Sequence, residues 1–142
     1  MEARQLLSDS GEPVITIRLG DPVCEAVQKM AANGIGAVLA VDADGKLAGI
    51  LSERDIVRGL DLFETGFLDE SVDEFLTKSV ISCEPGDNVF ELVWLMDTNG
   101  IRHLPVVEDG DLIGIISIRD AMKAMLKTTD SDARYLRARI PA

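Results

Sequence analysis

The sequence has 142 residues, 46% hydrophobic and 27% charged, and a formal net charge of −11 at pH 7. This length suits one compact domain or two small fused units, and the apolar fraction suits a packed core. The acidic balance argues against a nucleic-acid-binding surface. No apolar run approaches the roughly 18 residues of a membrane span, and the first residues show no signal-peptide pattern. We therefore expect a cytoplasmic protein that binds neither nucleic acid nor membrane.

Taken in chain order, the residue pattern predicts the same series of elements twice. Each repeat begins with a short β-branched strand, continues with an amphipathic helix that ends at a glycine, forms a hairpin of two buried strands and closes with a second helix. In the first repeat these elements are predicted over 14–17, 21–34, 37–41, 46–51 and from Ser52. In the second repeat they are predicted over 80–83, 87–100, 103–107, 111–116 and from Ser117. Asp21 and Asp87 are expected to cap the first helix of each repeat.

The two repeats are similar enough to be duplicated units. Residues 14–41 match residues 80–107 at 12 of 28 positions, and residues 45–55 match residues 110–120 at 7 of 11. We therefore predict an α/β (α+β) fold in which two β-α-β-β-α units pack with pseudo-twofold symmetry. The expected boundaries are 1–66 for the N-terminal unit, 67–128 for the C-terminal unit and 129–142 for a tail or helix.

Two further segments differ from the repeats in charge. Residues 61–79 are acidic, which is typical of a solvated face, and Ser71 with Glu74 has the spacing of a capping box, so we expect a short helix there. The tail from Lys127 is basic, and its stretch "DARYLRARI" is compatible with a last helix.

The repeats end in "GILSERD" and "GIISIRD", and the shared Ser-x-Arg-Asp has two interpretations. Serine and an acid three residues later form a capping box, which stabilises a helix start by roughly 1 kcal/mol without any ligand. Alternatively, the motif lies where a strand ends and a helix begins, so free backbone N–H groups can bind an anion. The aspartate could then accept hydrogen bonds from a ribose, and the arginine could pair with a phosphate.

The stretch "GIRHLPVVEDGDLIGIISIRD" and its twin in the first repeat resemble a pair of CBS (cystathionine β-synthase) domains, the Bateman module, over about residues 5–126. The chain is similar to small stand-alone prokaryotic members. The resemblance implies a non-enzymatic sensor that binds an adenosyl ligand in the clefts between two CBS units. AMP, ADP, ATP or NAD is the expected regulatory ligand, and no cofactor is required. S-adenosylmethionine is the alternative ligand.

The resemblance also implies which residues bind the ligand. Aspartates fall on the ribose position, serines of the same motif lie near ribose or phosphate, first-strand hydroxyls lie near the adenine edge, isoleucines pack on the base, and basic residues before "LPVV" face phosphate. The implied set is Thr16, Ile35, Ser52, Arg54, Asp55, Ser82, Ile101, Arg102, His103, Pro105, Ser117, Arg119 and Asp120.

The repeats differ within this set. The counterparts of Arg102, His103 and Pro105 are Gly36, Ala37 and Leu39. Because the first repeat lacks the basic pair, we expect the two clefts to differ, with the cleft at Arg102 the tighter for phosphorylated ligands. His103 has an alternative interpretation, as a strand-end histidine bonded to backbone.

Other function classes fit less well. A purely structural dimerisation module with degenerate clefts stays open, because the motif could be only a cap. An enzyme using Asp55, Asp120 and His103 is disfavoured, since the sequence shows no nucleophile–base pair or phosphate loop, and we expect no catalytic residue. Cys24 and Cys83 have no metal-ligand spacing, so we expect no metal, and we interpret them as small buried hydrophobes rather than a redox pair. We expect a homodimer that acts on an unidentified regulated protein, through an apolar face that includes Ile56, Leu60, Met122 and Met125.

Overall fold

The computed structural model describes residues 1–10, 14–63 and 65–127. The described helices are α1 (Ala3–Ser10), α2 (Val23–Asn33), α3 (Glu53–Phe63), α4 (Val89–Asn99) and α5 (Ile118–Met125). The described strands are β1 (Thr16–Arg18), β2 (Ala37–Val41), β3 (Leu47–Ser52), β4 (His103–Glu108) and β5 (Asp111–Ser117). Two short 3₁₀ helices, Phe67–Asp69 and Val72–Glu74, lie in the linker. This mixture of helices and strands confirms the predicted α+β class.

The chain forms two compact units. We call residues 15–80 the first unit, and residues 1–14 together with residues from 81 onward the second unit. Each has its own apolar core. In the first unit the core includes Ile17, Leu51 and Phe67, and in the second unit it includes Leu104 and Ile116.

The first unit contains a three-stranded sheet in the order β1-β2-β3. Strand β1 is parallel to β2, and β2 is antiparallel to β3, with Ala37 opposite Ser52. The second unit contains the equivalent hairpin, β4 and β5, with His103 opposite Ser117. The register of each hairpin places the Ser-x-Arg-Asp motif directly beside the start of the neighbouring strand.

The first strand of the second repeat is shorter than predicted. Only Cys83 bridges to β4, through hydrogen bonds from its N–H to Pro105 O (2.9 Å) and from Val107 N–H to its own oxygen (2.8 Å). In the first unit a further bond continues the ladder, from Leu19 N–H to Val41 O at 3.1 Å. The counterpart of Leu19 is Pro85, which has no N–H, so this bond is lost in the second unit.

The helix ends follow the prediction, but the first helix starts do not. Gly34 and Gly100 end α2 and α4 in the left-handed region, at φ 62° and 64°. The prediction that Asp21 and Asp87 are N-caps is wrong, because the N-cap positions are the next residues, Pro22 and Asn88. The two carboxylates instead accept hydrogen bonds from the backbone three residues earlier, from Arg18 N–H and Glu84 N–H, both at 2.8 Å.

Each unit is completed by the segment that precedes the other repeat. Residues 1–7, which we call the amino-terminal segment, bond to the start of α4, with Ala3 N–H donating to Asp87 O at 2.8 Å and Val89 N–H to Met1 O at 2.9 Å. Residues 70–77, the linker segment, make the same pair of bonds to the start of α2, at 2.9 Å from Val72 to Asp21 and 2.8 Å from Val23 to Glu70.

The apolar packing of these two segments is also equivalent. Leu7 lies against Gly114 on β5, and Leu76 lies against Gly49 on β3. A Cβ atom at Gly114 would overlap the Leu7 side chain, and one at Gly49 would lie 3.0 Å from both Leu76 Cβ and Thr77 O. The expected boundaries of 1–66 and 67–128 therefore differ from the structural units at both ends: residues 1–7 pack with the second repeat, and residues 67–80 belong with the first.

Three other expectations have mixed outcomes. Cys83 is buried as expected, and burial, with smaller contributions from Asp87 and Glu84, raises the pKa of its thiol to about 12. Cys24 is only half-buried. Ser71 does begin a short helix, but it is 3₁₀, and the serine accepts from Asp73 N–H at 3.2 Å. The predicted tail helix lies outside the described residues.

Candidate functional site

The Ser-x-Arg-Asp motif of the second unit forms the start of α5. Ser117 is the N-cap, and its hydroxyl accepts a hydrogen bond from Asp120 N–H at 3.1 Å. The Asp120 side chain is half-buried, and within the described part of the chain its carboxylate has no hydrogen-bond or ion-pair partner. This carboxylate is therefore available, at a helix N-terminus, to accept hydrogen bonds from a ligand.

The same motif in the first unit forms a complete capping box. Ser52 Oγ accepts from Asp55 N–H at 3.3 Å, and Asp55 Oδ2 accepts in return from Ser52 N–H at 2.9 Å and from Ser52 Oγ at 3.0 Å. One carboxylate oxygen of Asp55 thus stabilises the helix start. The capping interpretation is confirmed for both serines, but only Asp55 uses its carboxylate for it.

The residues beside the two motifs differ in charge. In the second unit Ile118 N–H donates to Arg102 O at 2.8 Å, and the exposed Arg102 and His103 side chains belong to the strand start next to Ser117. In the first unit the equivalent bond joins Glu53 N–H to Gly36 O at 2.9 Å. The basic residues predicted to face phosphate are therefore placed beside the motif, in the second unit alone among the described residues.

The first-strand hydroxyl residues also differ in their surroundings. The carbonyl oxygen of Thr16 accepts a hydrogen bond from Lys29 Nζ at 2.7 Å, and Nζ lies 3.9 Å from Glu25 Oε1. Ser82 is exposed, and Leu95 stands at the position of Lys29. In the described residues no side chain donates to the Ser82 carbonyl. The Thr16 carbonyl at the edge of β1 is thus already bonded to a side chain, whereas the Ser82 carbonyl accepts no side-chain hydrogen bond from the described residues.

The other predicted binding residues have mixed environments. Ile35 and Ile101 are half-buried against the two cores, and their N–H groups bond to Met30 O (3.1 Å) and Met96 O (2.9 Å). Pro105 is buried in β4, between the core residues Leu104 and Val106, and is not itself part of that core cluster. The two motif arginines, Arg54 and Arg119, are exposed and lie in the first turns of α3 and α5.

A groove of about 560 Å³ lies within the first unit, between α2 and α3. Its lining is mainly apolar: Val27, Met30, Ala31, Gly34, Ile35, Glu53, Ile56 and Val57. Of the predicted ligand residues it includes Ile35 but not Thr16, Ser52 or Asp55, and it meets the Ser-x-Arg-Asp motif only at Glu53. Val57 and Leu60 on α3 are 66% and 45% exposed, which extends an apolar helix surface beside it.

Sequence reasoning missed two charged residues, Glu53 in the motif of the first unit and Lys29 at the edge of β1. A signal was available in the alignment of the two repeats, where Lys29 is aligned with Leu95 and Glu53 is aligned with Ile118.

Among the described residues no group of three or more His, Cys, Asp or Glu side chains could hold a metal ion. The same part of the chain contains no helix long and apolar enough to cross a bilayer.

Comparison with known proteins agrees with this architecture. A solved CBS-domain containing protein from Agrobacterium tumefaciens is 37% identical, with a TM-score of 0.76 over 87% of this chain and 92% of that one. A CBS domain protein from Pyrobaculum aerophilum complexed with AMP is 25% identical, with a TM-score of 0.74 over 97% and 99%. The CBS domain pair of protein MJ0100, in complex with 5′-methylthioadenosine and S-adenosyl-L-methionine, has the same identity and TM-score over 91% and 98%.

Curated relatives are mostly longer proteins. The chain spans 68%, 40% and 32% of the lengths of three that it matches, from Acidianus ambivalens, Methanocaldococcus jannaschii and Thermofilum pendens, at 32%, 32% and 37% identity. The model of the CBS domain family matches residues 4–62 and again residues 72–127. These two matches cover most of the chain and confirm the resemblance seen in the repeats: the chain belongs to the CBS domain family, as a tandem pair.

Proposed function

We propose that this protein is a non-enzymatic regulatory module that binds an adenosyl ligand at its Ser-x-Arg-Asp junctions, and that the second unit provides the stronger site. The observation that supports this most directly is the half-buried Asp120 carboxylate, which has no partner among the described residues. It stands at the start of a helix, beside the exposed side chains of Arg102 and His103.

The chemistry of this junction suits a nucleoside phosphate. An ionised aspartate only accepts hydrogen bonds, so it complements the two hydroxyl donors of a ribose. The first turn of α5 offers backbone N–H groups and the positive end of the helix dipole to an anion. The guanidinium of Arg102 keeps its charge at any physiological pH and can bind phosphate through two parallel hydrogen bonds.

The neighbours support the adenosyl class and leave several members of it open. One contains AMP, and another contains 5′-methylthioadenosine and S-adenosyl-L-methionine. For this chain we propose AMP, ADP, ATP or NAD as the regulatory ligand, because Arg102 favours a phosphate group, with S-adenosylmethionine as the alternative. The signal would pass to a separate regulated protein.

We also propose that the module forms a homodimer through its helices. Of the expected apolar face, Ile56 and Met125 pack against the two cores. Leu60 and Met122 are 45% and 53% exposed, and Val57 on α3 is 66% exposed, so these apolar side chains are available to a second copy of the chain. The groove between α2 and α3 continues this surface. Sedimentation at high protein concentration should show twice the chain mass, and Val57→Glu should return the monomer mass. A monomeric wild type would contradict the proposal.

A second candidate function is a structural dimerisation module without a ligand. The first unit favours it, because one oxygen of Asp55 is already used in the capping box. Both functions predict a dimer, but only ligand sensing predicts binding.

Thermal unfolding with AMP, ADP, ATP, NAD, NADH and S-adenosylmethionine separates these two functions. A ligand at 100 times its Kd should stabilise the protein by about 2.7 kcal/mol, which gives a visible rise in Tm. Asp120→Asn should reduce this rise much more than the matched variant Asp55→Asn does. If none of the six compounds changes the Tm, ligand sensing is rejected and the structural function is favoured.

A further inference from the structure

We propose that Glu53 is a specificity-determining residue, and that it makes the junction of the first unit take adenosyl compounds that carry no phosphate. This inference rests on the proposed function, since it assumes that both junctions bind adenosyl ligands. It assigns different ligand classes to two sites that share the same Ser-x-Arg-Asp motif.

The geometry places Glu53 where the second unit has its arginine. The bonds from Glu53 N–H to Gly36 O and from Ile118 N–H to Arg102 O, at 2.9 and 2.8 Å, identify the two pairs as equivalent. A Cβ atom built on Gly36 would lie only 3.2 Å from Glu53 Oε1. The first unit therefore holds a carboxylate at the point where the Arg102 side chain leaves the backbone in the second unit.

This exchange reverses the formal charge of the junction. In the first unit the charged residues of the strand start and motif are Glu53, Arg54 and Asp55, and they sum to −1. In the second unit the charged residues at the equivalent positions are Arg102, Arg119 and Asp120, and they sum to +1 with His103 neutral. A phosphate monoester carries about −1.5 to −2 charge at pH 7, so the first junction repels it and the second attracts it. A neutral or cationic substituent, such as a thioether or a sulfonium, avoids that repulsion.

The cation of α2, Lys29, has other partners and forms no pair with Glu53 among the described residues. Lys29 Nζ donates to the Thr16 carbonyl at 2.7 Å and lies 3.9 Å from Glu25 Oε1. Its ammonium is thus held at the edge of β1, with a carboxylate of its own helix beside it. Lys29→Leu, which installs the residue of the second repeat, is therefore a matched control for Glu53 variants.

The test isolates one junction at a time. In an Asp120→Asn background, titration calorimetry reports on the first unit, with AMP as the phosphorylated probe and 5′-methylthioadenosine as the phosphate-free one. Glu53→Gln removes the charge and keeps the shape. We expect it to tighten AMP by about tenfold, the effect of roughly 1.4 kcal/mol of relieved repulsion, and to leave 5′-methylthioadenosine within about twofold. Lys29→Leu should not weaken AMP.

The reciprocal change tests the same inference in the second unit. In an Asp55→Asn background, Ile118→Glu introduces the carboxylate of the first repeat beside Arg102. We expect AMP binding to fall about tenfold and 5′-methylthioadenosine binding to stay within about twofold. Glu53 is exposed, whereas Ile118 is half-buried against the core of the second unit, so Ile118→Gln controls for the lost apolar side chain. Thermal unfolding without ligand checks that both variants fold.

The outcomes distinguish this inference from the proposed function. If no adenosyl compound binds the wild type, both are overturned. If AMP binds but Glu53→Gln and Ile118→Glu change AMP and 5′-methylthioadenosine equally, or change neither, only the role of Glu53 is overturned. A loss of AMP binding to the first unit in Lys29→Leu would also overturn it, because Lys29 would then be supplying a phosphate contact.

Discussion

The two units begin their last helices with the same four-residue motif, but they use its aspartate differently. Both serines cap the helix, through bonds from Asp55 N–H at 3.3 Å and from Asp120 N–H at 3.1 Å. The Asp55 carboxylate also accepts two hydrogen bonds from Ser52, whereas the Asp120 carboxylate has no partner in the described chain. The same motif thus stabilises the helix start locally in the first unit and leaves its carboxylate available for a ligand in the second.

The amino-terminal and linker segments give a second comparison. Each makes the same pair of backbone bonds to a helix start and covers the same hairpin glycine with a leucine. Each completes the unit of the other repeat. Neither repeat is therefore a self-sufficient folding unit as the sequence delimits it.

The largest effect is expected from removing a core side chain of the amino-terminal segment. Leu6 is 6% exposed in the core of the second unit, although it precedes the first repeat. Leu6→Ala should lower the free energy of unfolding by about 2–5 kcal/mol, through lost burial and a cavity. Native-state hydrogen exchange should accelerate in β4 and β5 more than in β2 and β3.

The matched variant in the linker segment is Phe75→Ala. Phe75 packs edge-on against Phe67, with ring centroids 4.8 Å apart, in the first unit. Its removal should accelerate exchange in β2 and β3 instead. If Leu6→Ala and Phe75→Ala accelerate hydrogen exchange in the same strands, the packing of each segment with the other repeat is contradicted.

The next prediction compares how Asp→Asn changes affect ligand binding and stability in the two motifs. Asp120→Asn should weaken AMP binding about tenfold or more, because a charge-assisted hydrogen bond is lost, and should change the unfolding free energy by under about 0.5 kcal/mol. Asp55→Asn should lower stability by about 1 kcal/mol, since its carboxylate accepts two bonds from Ser52. Calorimetric titration and urea unfolding of both variants measure the two effects, and equal behaviour of the pair would remove the distinction between the junctions.

A smaller effect is expected from removing the serine N-cap, which both units have. Ser52→Ala and Ser117→Ala should each destabilise the protein by about 1 kcal/mol, the cost of losing a helix N-cap. Ser52→Ala should cost more, because its hydroxyl also donates to Asp55 Oδ2. Urea unfolding of both variants checks the order, and a greater loss in Ser117→Ala would be inconsistent with the observed capping box.

The last effect is absent at neutral pH and concerns Cys83, the counterpart of Ile17. Its folded pKa is raised to about 12 from an ordinary value of 9.0, chiefly by burial. The unfolded thiol ionises first, so the stabilising contribution of the buried thiol is complete below pH 9 and is lost as the pH rises above it. Wild type should therefore lose stability relative to Cys83→Val as the pH rises above 9.0, the ordinary pKa of the thiol. A constant difference over this range would contradict the burial of the thiol.

Much of the fold could be predicted because the repeat supplies each element twice. Helix ends at Gly34 and Gly100 and both hairpins follow from local patterns. The strand at Cys83 was overpredicted because its apolar pattern says nothing of the missing N–H of Pro85 two residues later. The exchange of the two segments was not predicted because it depends on tertiary contacts, such as Leu7 against Gly114, that have no local signature.

The site was predictable in its shared residues and not in its differences. Identity between repeats points to Ser52, Asp55, Ser117 and Asp120. It gives no weight to Lys29 and Glu53, because each is matched by an apolar residue in the other repeat. Which carboxylate is bonded locally depends on side-chain conformation, and the two motifs are identical at the serine and the acid.

The most direct test of the central claim is a titration of ¹⁵N-labelled protein with AMP, followed by amide chemical shifts. If the junction of the second unit is the stronger nucleotide site, the amides of 102–104 and 117–121 should shift at the lowest AMP concentrations, and those of 36–37 and 52–55 only at higher ones. The same titration of Asp120→Asn should lose the early shifts. Early shifts at 52–55 that persist in Asp120→Asn, or no shifts at either junction, would contradict the account.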